Sequence, residues 1–368
     1  MPLVREPGAL APYQQIRDIL RKEILERMSA GDRIAPERDL AKRFGANRAT
    51  VSRAISHLVN EGLLVRQVGR GTFVAGGGNG RTRTVTRTVS LIVPLMHGKF
   101  PSTMMRGAIR GLRDHNYRAV LFDSENSAVA ESAELDRQAQ EGIDGALLMP
   151  AQTPENIPLF ARLQRLAFPL VFLDRRPVGF EADLACSDHY WGAHEATSRL
   201  IARGHTRIAH FTSFAEQESS SVRDRLLGYE QALTDHGIEV DPELICPPAV
   251  YSENQSVYKH ILAYLRHGDR PITAVFGLSD LFALATIAAC RDLNLSIPKD
   301  LELASFFDGE LDPMTSIPFL KVVQRQEDIG RLAVDLLMSR ISGNGPEGPQ
   351  TIKVRPDIID EVSSAPKS

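Results

Sequence analysis

The stretch from Pro36 to Val74 restricts this chain more than any other part of it. Residues 37–44 place Leu40, Ala41 and Phe44 on one side of a short helix, and Gly45 stops it. Asn47 stands where its side chain can accept from the free N–H groups of a second helix. In that helix Val51, Ala54, Ile55, Leu58 and Val59 recur at i, i+3, i+4, i+7 and i+8 and turn toward a core. Ala49, Ser52, Arg53 and Ser56 then point outward. Two helices joined by a tight turn, the second with small polar residues and an arginine on its free face, fit a DNA major groove. Residues 63–68 and 72–74 read as two strands joined at Gly69-Arg70-Gly71, a wing with Arg70 at its tip.

Charge supports a nucleic-acid contact confined to this end. The chain of 368 residues is nearly balanced, with a formal net charge of −3. Residues 1–88, however, hold 16 Lys and Arg against 8 Asp and Glu, and the rest hold 27 against 38. A basic head on an acidic body concentrates phosphate affinity in the head. The length suits two or three domains. With 43% hydrophobic residues the chain can bury a sizeable core, yet no run approaches the ~20 apolar residues of a membrane span. The first residues lack a basic-then-apolar signal pattern, so a cytoplasmic protein without membrane partners is expected. Cys186, Cys246 and Cys290 are widely spaced and form no C-x-x-C, which points to buried thiols.

Residues 13–28 form a further amphipathic helix ahead of the pair, with Ile16, Ile19, Leu20 and Ile24 on its buried side. The order of three helices and a two-stranded wing is that of a winged helix-turn-helix. The segments at Pro12–Ile16, Gly31–Ile34, Glu37–Ala41, Asn47–Val51 and Gly69–Val74 closely resemble the GntR family of bacterial repressors. The resemblance implies DNA contacts from Arg38 and Arg48, and Asn47, Thr50, Ser52, Arg53, Arg70 and Gly71 are the further candidates on the recognition helix and wing. Two departures stand out. Ala35-Pro36 precedes the Glu-Arg pair where the family usually has Pro-Ser, and Ser52 followed by Arg53 occupies the place of its usual mid-helix arginine.

Gly76 to Gly80 and the alternating Arg and Thr to residue 88 show no apolar periodicity and read as a flexible linker. Short apolar runs then alternate with helical stretches. Strands are expected at 89–95, 120–122, 146–149, 170–173, 208–212, 274–276 and 303–307, and helices at 104–115, 193–203, 225–236 and 281–293. Near-continuous apolar strands between helices mean parallel sheets covered on both faces. Some 280 residues of this pattern suggest two lobes. The expected fold is α/β: a winged helix-turn-helix over 1–75, a linker over 76–88 and a two-lobed body of doubly wound parallel sheets over 89–360.

Residues 144–148, 171–174, 200–208, 225–229, 279–284, Val323-Gln324 and Ile329-Gly330 resemble the effector domain of the LacI/GalR family. That domain is similar to periplasmic sugar-binding proteins, two lobes joined by three crossovers. A GntR-type head on such a body matches the arabinose-repressor type of architecture. Open parallel sheets bind ligands at the carboxyl ends of their strands, and Asp174, Asp280 and the segment Ser124–Asn126 lie at such ends. Arg225 is expected to start a helix after the Ser219–Ser221 loop. The resemblance implies effector contacts from Asp174, Arg225, Asp280 and Gln324, with His97, Phe100 and Ser102 in the first loop closing the lobe. Carboxylates and a guanidinium suit neighbouring hydroxyls of a polyol, and Tyr251 or Trp191 could cover a sugar's C–H face. Each has a plainer reading: Asp174 and Asp280 as helix caps, Arg225 paired with Asp224 or Glu230, Phe100 as core.

Enzyme readings find less support. G-x-S-x-G, H-E-x-x-H and G-x-x-x-x-G-K-[ST] are absent, and His194, His205 and His210 lack a metal-like pattern. A GntR head fused to an aminotransferase-like enzyme is the alternative. It needs a Schiff-base lysine, and Lys259, Lys299, Lys321, Lys353 and Lys367 occupy no such setting. A DNA-packing protein without ligand conflicts with the acidic body. The expectation is therefore a homodimeric, ligand-responsive repressor of a sugar-use operon, binding operator DNA and a sugar-like effector without cofactor or metal.

Overall fold

Pro12 opens α1 (Pro12–Arg27) at a position where its missing N–H has no helical partner to lose. Ile16, Leu20 and Ile24 of α1 pack on Leu40 and Phe44 of α2 (Glu37–Phe44) and on Val51, Ala54, Ile55 and Leu58 of α3 (Arg48–Asn60). Gly45 ends α2 with a left-handed φ of 59°, which glycine adopts without a Cβ clash. β1 (Leu64–Gln67) and β2 (Gly71–Val74) pair antiparallel as the wing. The chain before α2 adds an unanticipated third edge to it. The Gly31 and Ile34 amides donate to the Val74 and Thr72 carbonyls, each at 3.0 Å, and the Val74 amide donates to Asp32 at 2.7 Å. The computed structural model describes residues 11–60, 63–67, 69–75, 85–96, 99–151, 153–213, 219–246, 254–267, 272–309 and 317–364. The expected linker core, His97 and Tyr251 lie outside the described residues.

The body alternates strand and helix: β3 (Thr88–Val93), α4 (Lys99–Asp114), β4 (Arg118–Asp123), α5 (Ala128–Glu141), β5 (Gly145–Leu148), α6 (Ile157–Arg165), β6 (Leu170–Leu173) and β7 (Leu184–Ser187). The pattern repeats in α7 (His189–Ala202), β8 (Ile208–Phe211), α8 (Ser220–Asp235), β9 (Ile245–Cys246), α9 (Asn254–His267), β10 (Ala274–Gly277), α10 (Asp280–Asp292), β11 (Glu302–Phe306) and β12 (Leu320–Val323). It closes with α11 (Gln326–Ile341), β13 (Thr351–Val354) and β14 (Asp357–Asp360). One sheet has the order β13-β7-β6-β5-β3-β4 and is parallel throughout. The other has the order β14-β12-β11-β10-β8-β9, with β14 alone antiparallel. The strands expected from apolar runs fall on β3, β4, β5, β6, β8, β10 and β11; β7, β9, β12, β13 and β14 were not anticipated. The side chains of β7 are small (Leu-Ala-Cys-Ser), those of β13 and β14 alternate as at a sheet edge, β9 has two residues, and Lys321 interrupts β12.

The chain passes between the sheets three times, after β7, after β12 and between β13 and β14, as the family resemblance implied. Each lobe has its own core. In the first, α11 lies along α4 and beneath β5, β6 and β7. In the second, α7 and α8 pack beside Phe276 and Phe306. The head touches the first lobe directly: the Ala30 amide donates to the Arg165 carbonyl at 3.0 Å, and Leu166 packs against the head's core. Cys186, Cys246 and Cys290 are buried and unpaired, and burial pushes their thiols up to about 12, 11 and 11. No helix of the described residues is long and apolar enough to cross a membrane.

Two glycines set how closely α4 and α11 cross. A Cβ on Gly107 would run into the Glu327 carbonyl, and one on Gly330 into the Met104 carbonyl. Gly330→Ala should therefore push the helices apart and cost roughly 1–3 kcal/mol. Thermal unfolding should show it as a Tm loss of several degrees, whereas an unchanged Tm would mean that the crossing relaxes freely.

Candidate functional site

The head presents one basic face. Arg38 and Arg48 are both largely exposed, with side-chain accessibilities of 79% and 77%. Arg70 is exposed at the wing tip, where its amide closes the turn on the Gln67 carbonyl at 3.0 Å. Gly71 has φ 124°, a conformation that disfavours any side chain there, and the Arg33 guanidinium lies against it, 2.7 Å from where a Cβ would stand. Asn47 caps α3: its Oδ1 accepts from the Thr50 amide at 2.7 Å and the Thr50 hydroxyl at 2.8 Å. Ser52 Oγ accepts from Arg66 at 3.2 Å. Arg53 is exposed, but its guanidinium lies 4.1 Å above the Tyr13 ring of α1, drawn back from the outward course expected for it. Arg66 escaped the sequence reading. It is exposed on β1, two residues beyond buried Leu64, and it meets Glu37 at 3.2 Å, while Arg48 meets Glu37 at 3.4 Å. Such exposed pairs are weak, so a phosphate can take either arginine from Glu37.

In the body, the two lobes meet at the carboxyl ends of their strands. Asp174 follows β6 with a left-handed φ of 64° and is 4% exposed. Its carbonyl accepts from His189 Nε2 at 3.1 Å, and its carboxylate lies 3.4 Å from the same nitrogen. His189 Nδ1 faces Arg225, whose Nε and Nη2 lie 3.3 and 3.2 Å away. Arg225 also donates to the Leu278 carbonyl at 2.5 Å and stacks 3.8 Å above the Phe306 ring. Its position differs from the expectation: α8 begins at Ser220, so Arg225 sits in the second helical turn, and it reaches across to His189 instead of pairing with Asp224 or Glu230. Backbone joins the lobes nearby. The Ser220 amide donates to the Arg176 carbonyl and the Arg176 amide to the Ser220 hydroxyl, each at 3.1 Å.

A second polar group adjoins this one. Asp280 is the first residue of α10, and its carboxylate accepts from the Asp308 amide at 2.8 Å. The Asp308 carboxylate accepts from the Gln324 amide at 2.8 Å and from Gln324 Nε2 at 2.7 Å. A cavity of about 500 Å³ beside Gln324 is lined by Thr103, Arg110, Arg325, Glu327 and Asp357. Burial raises Asp174, but the His189 hydrogen bond and the charges of Arg175 and Arg225 outweigh it and hold the carboxyl at about 2. Burial also raises Asp280, against hydrogen bonds from the Asp308 and Gly309 amides. Burial raises Asp308 to about 7, and the Asp280 charge adds to this against the two Gln324 bonds. Among the described residues, Ser187 Oγ, Thr212 Oγ1 and Gln324 Oε1 are buried strand-end oxygens without a hydrogen-bond partner, and Asp174 Oδ1 has only the 3.4 Å approach of His189 Nε2.

The structure thus brings Asp174, Arg225, Asp280 and Gln324 together, and adds His189 and Asp308. Asp308 obeys the strand-end rule that picked out Asp174 and Asp280 and could have been found by it. His189 follows β7, which no apolar run revealed. Phe100 and Ser102 depart from expectation, because they lie in the first turns of α4 and not in a loop. Phe100 packs on the first lobe's core, and exposed Ser102 bonds the Lys99 carbonyl at 3.0 Å. Trp191 lies by the third crossover with Arg355 stacked 4.0 Å above it. Ser124 is buried, its hydroxyl 3.3 Å from the Val93 carbonyl, and Glu125 and Asn126 have positive φ. His210 is a core residue stacked on Tyr229 and Phe276, and burial lowers it to about 4. His194 meets Asp235 at 2.9 Å and His205 meets Glu302 at 2.8 Å.

Comparison with known proteins agrees with both halves of the chain. Residues 12–74 match the gntR family of bacterial regulatory proteins, and residues 197–363 match a periplasmic binding protein-like domain. The arabinose metabolism transcriptional repressor of Geobacillus stearothermophilus is 26% identical over 95% of this chain and 96% of its own. The ribose operon repressor of Escherichia coli K12 is 26% identical over 84% of this chain and 94% of its own. The crystal structure of a ribose operon repressor homologue from Burkholderia thailandensis shares the fold with a TM-score of 0.64 at 24% identity, covering 75% of this chain and 99% of its own. These relatives are transcriptional regulators.

Asp308 gives the site a pH signature. Its folded-state value near 7 lies above the ordinary carboxylate range, so the folded protein binds a proton that the unfolded chain releases from about pH 4 upward. This group therefore favours the fold at low pH, and its contribution is lost as pH rises toward 7. Asp308→Asn removes the term. Its Tm relative to the parent should climb between pH 4.5 and 8, and equal Tm slopes for the two proteins would show that Asp308 titrates normally.

Proposed function

We propose that this chain, a GntR-type head on a periplasmic-binding-protein-like body, is a repressor that leaves its operator when a sugar binds between its lobes. The domain limits are 1–75, 76–88 and 89–360. The observation that carries the reading is the set of buried strand-end oxygens without partners on both lobes, Ser187 Oγ on the first and Thr212 Oγ1 and Gln324 Oε1 on the second. A buried polar atom is costly unless something bonds it, and hydroxyls of a polyol supply donors in that arrangement. Asp174, Arg225, Asp280 and Gln324 are the proposed effector contacts, and His97 and Tyr251 are proposed with them from the family resemblance. Relatives named for arabinose and ribose operons support a pentose among the first sugars to test.

Operator DNA is gripped by Arg38, Arg48, Arg66 and Arg70, with Asn47, Thr50, Ser52, Arg53 and Gly71 shaping the face. The protein acts as a homodimer in the cytoplasm and catalyses no reaction. Val120 and Leu121 on the edge strand β4, together with nearby Met96, are exposed apolar residues that suit a subunit contact.

Two measurements test this. Arg38→Ala should weaken binding to a selected operator and lower the salt slope by about one if the contact is to phosphate; an unchanged slope and affinity would remove Arg38 from the interface. Screening L-arabinose, D-ribose, D-xylose, D-glucose and cellobiose by thermal shift should find a stabilising sugar that weakens operator binding by roughly 5–150-fold. Arg225→Ala should lose that response and keep operator affinity. Sugar binding of parental strength in this variant would place the effector elsewhere.

A further inference from the structure

Gln324 has a side-chain amide whose two ends make opposite demands on a ligand: one donates and the other accepts. It is 5% exposed at the end of β12, where the chain crosses between lobes. One carboxylate holds it. Asp308 Oδ1 accepts the Gln324 main-chain N–H at 2.8 Å, and Asp308 Oδ2 accepts its side-chain Nε2 at 2.7 Å. Asp308 is itself fixed by its amide, which donates to Asp280 Oδ1 at 2.8 Å. With Asp308 ionised, at pH values above about 7, turning the Gln324 amide over would set its oxygen against a carboxylate oxygen at that same separation, with no proton between them. The amide is thus locked with Oε1 away from Asp308, and that oxygen is buried and has no partner among the described residues.

We propose that Asp308 is a positioning residue for the effector site: it fixes Gln324 with its carbonyl oxygen presented to the ligand, so that this position selects a hydroxyl donor. The inference rests on the reading of Gln324 as an effector contact. The neighbouring Asp280 carboxylate is a second acceptor on the same wall. Phosphate and carboxylate groups bring only acceptors and are repelled there, which makes the effector a neutral polyol at this end and excludes a sugar phosphate or sugar acid placing its anionic group against Gln324.

Asp308→Asn tests the lock, because it preserves the number of hydrogen bonds and reverses one of them. The Asn oxygen keeps the Gln324 main-chain N–H, while its NH2 turns the Gln324 amide over and points that NH2 at the ligand. The full-length protein is labelled with ¹⁵N-glutamine and observed by NMR at pH 8, with the Gln324 side-chain resonance identified by its loss in Gln324→Met. In the parent, the NH2 should exchange slowly with solvent and shift in Asp308→Asn. Fast exchange in the parent overturns the proposal even if the variant fails to fold, and so does an unmoved resonance in a folded variant. Calorimetry at pH 8 with the same five sugars and with ribose 5-phosphate supplies the second arm. Any sugar that binds the parent should bind Asp308→Asn at least tenfold more weakly. Equal sugar affinity beside a shifted resonance overturns the role in selection, as does parental preference for ribose 5-phosphate over ribose. If none of these ligands binds a parent whose Gln324 resonance behaves as expected, the selective role falls together with the sugar reading, and the Asp308 lock alone survives.

Discussion

Arg225 carries its charge into a site where 8% of the residue is exposed, and the contact between the lobes is arranged around that charge. An ion taken out of water loses several kcal/mol unless its surroundings replace the lost hydration. Here the Leu278 carbonyl, the His189 ring nitrogen and the face of Phe306 replace it, and the Asp174 carboxylate balances the charge through His189. Leu278 and Phe306 belong to the second lobe and Asp174 to the first. Neutralising the guanidinium therefore favours one particular approach of the two sheets. Asp174 is held in a left-handed conformation that a non-glycine residue rarely takes, and strain of that kind persists where the surroundings fix it from several sides.

The same coupling explains the division of labour in the body. The inner strands of the sheets are mostly apolar and buried on both faces, and α4 and α11 cross closely at two glycines in the first lobe. Polar chemistry is left to the strand ends and to the three crossovers, where Gln324 and Asp188 lie. Two lobes joined by short crossovers can change their mutual angle at little internal cost, so what occupies the space between them can decide that angle. The head is tied to the first lobe through Ala30, Arg165 and Leu166, and movement of that lobe reaches the regulator's DNA-binding face without passing through the glycine-rich segment alone.

On the head, function depends on weak pairing. Glu37 collects Arg48 from α3 and Arg66 from the wing, orienting two cations that would otherwise sample many rotamers. Because these pairs are exposed, they orient the arginines without competing strongly against DNA phosphates. The stack of Arg53 on Tyr13 ties α3 to α1 in a similar way.

Sequence alone determined the order of the parts. Helical spacing in α1, α2 and α3, the stops at Gly45 and Gly69, and the apolar runs of β5, β6, β8 and β10 are local patterns, set by which residues can share a face or take a left-handed turn. Asp174 and Asp280 were legible because a polar residue after an apolar run marks a strand end. Tertiary structure decided what no local pattern contains. β7, β13 and β14 owe their strand character to neighbours supplied from distant parts of the chain, so His189 could not be placed before the sheet was known. Arg225 meets a histidine 36 residues away and a carbonyl 53 residues away, and sequence spacing carries no trace of either bond. The orientation of Gln324 follows from a carboxylate brought to it by the pairing of β11 with β12. A hydrogen bond's direction is fixed by which atoms meet, and that meeting is a property of the fold.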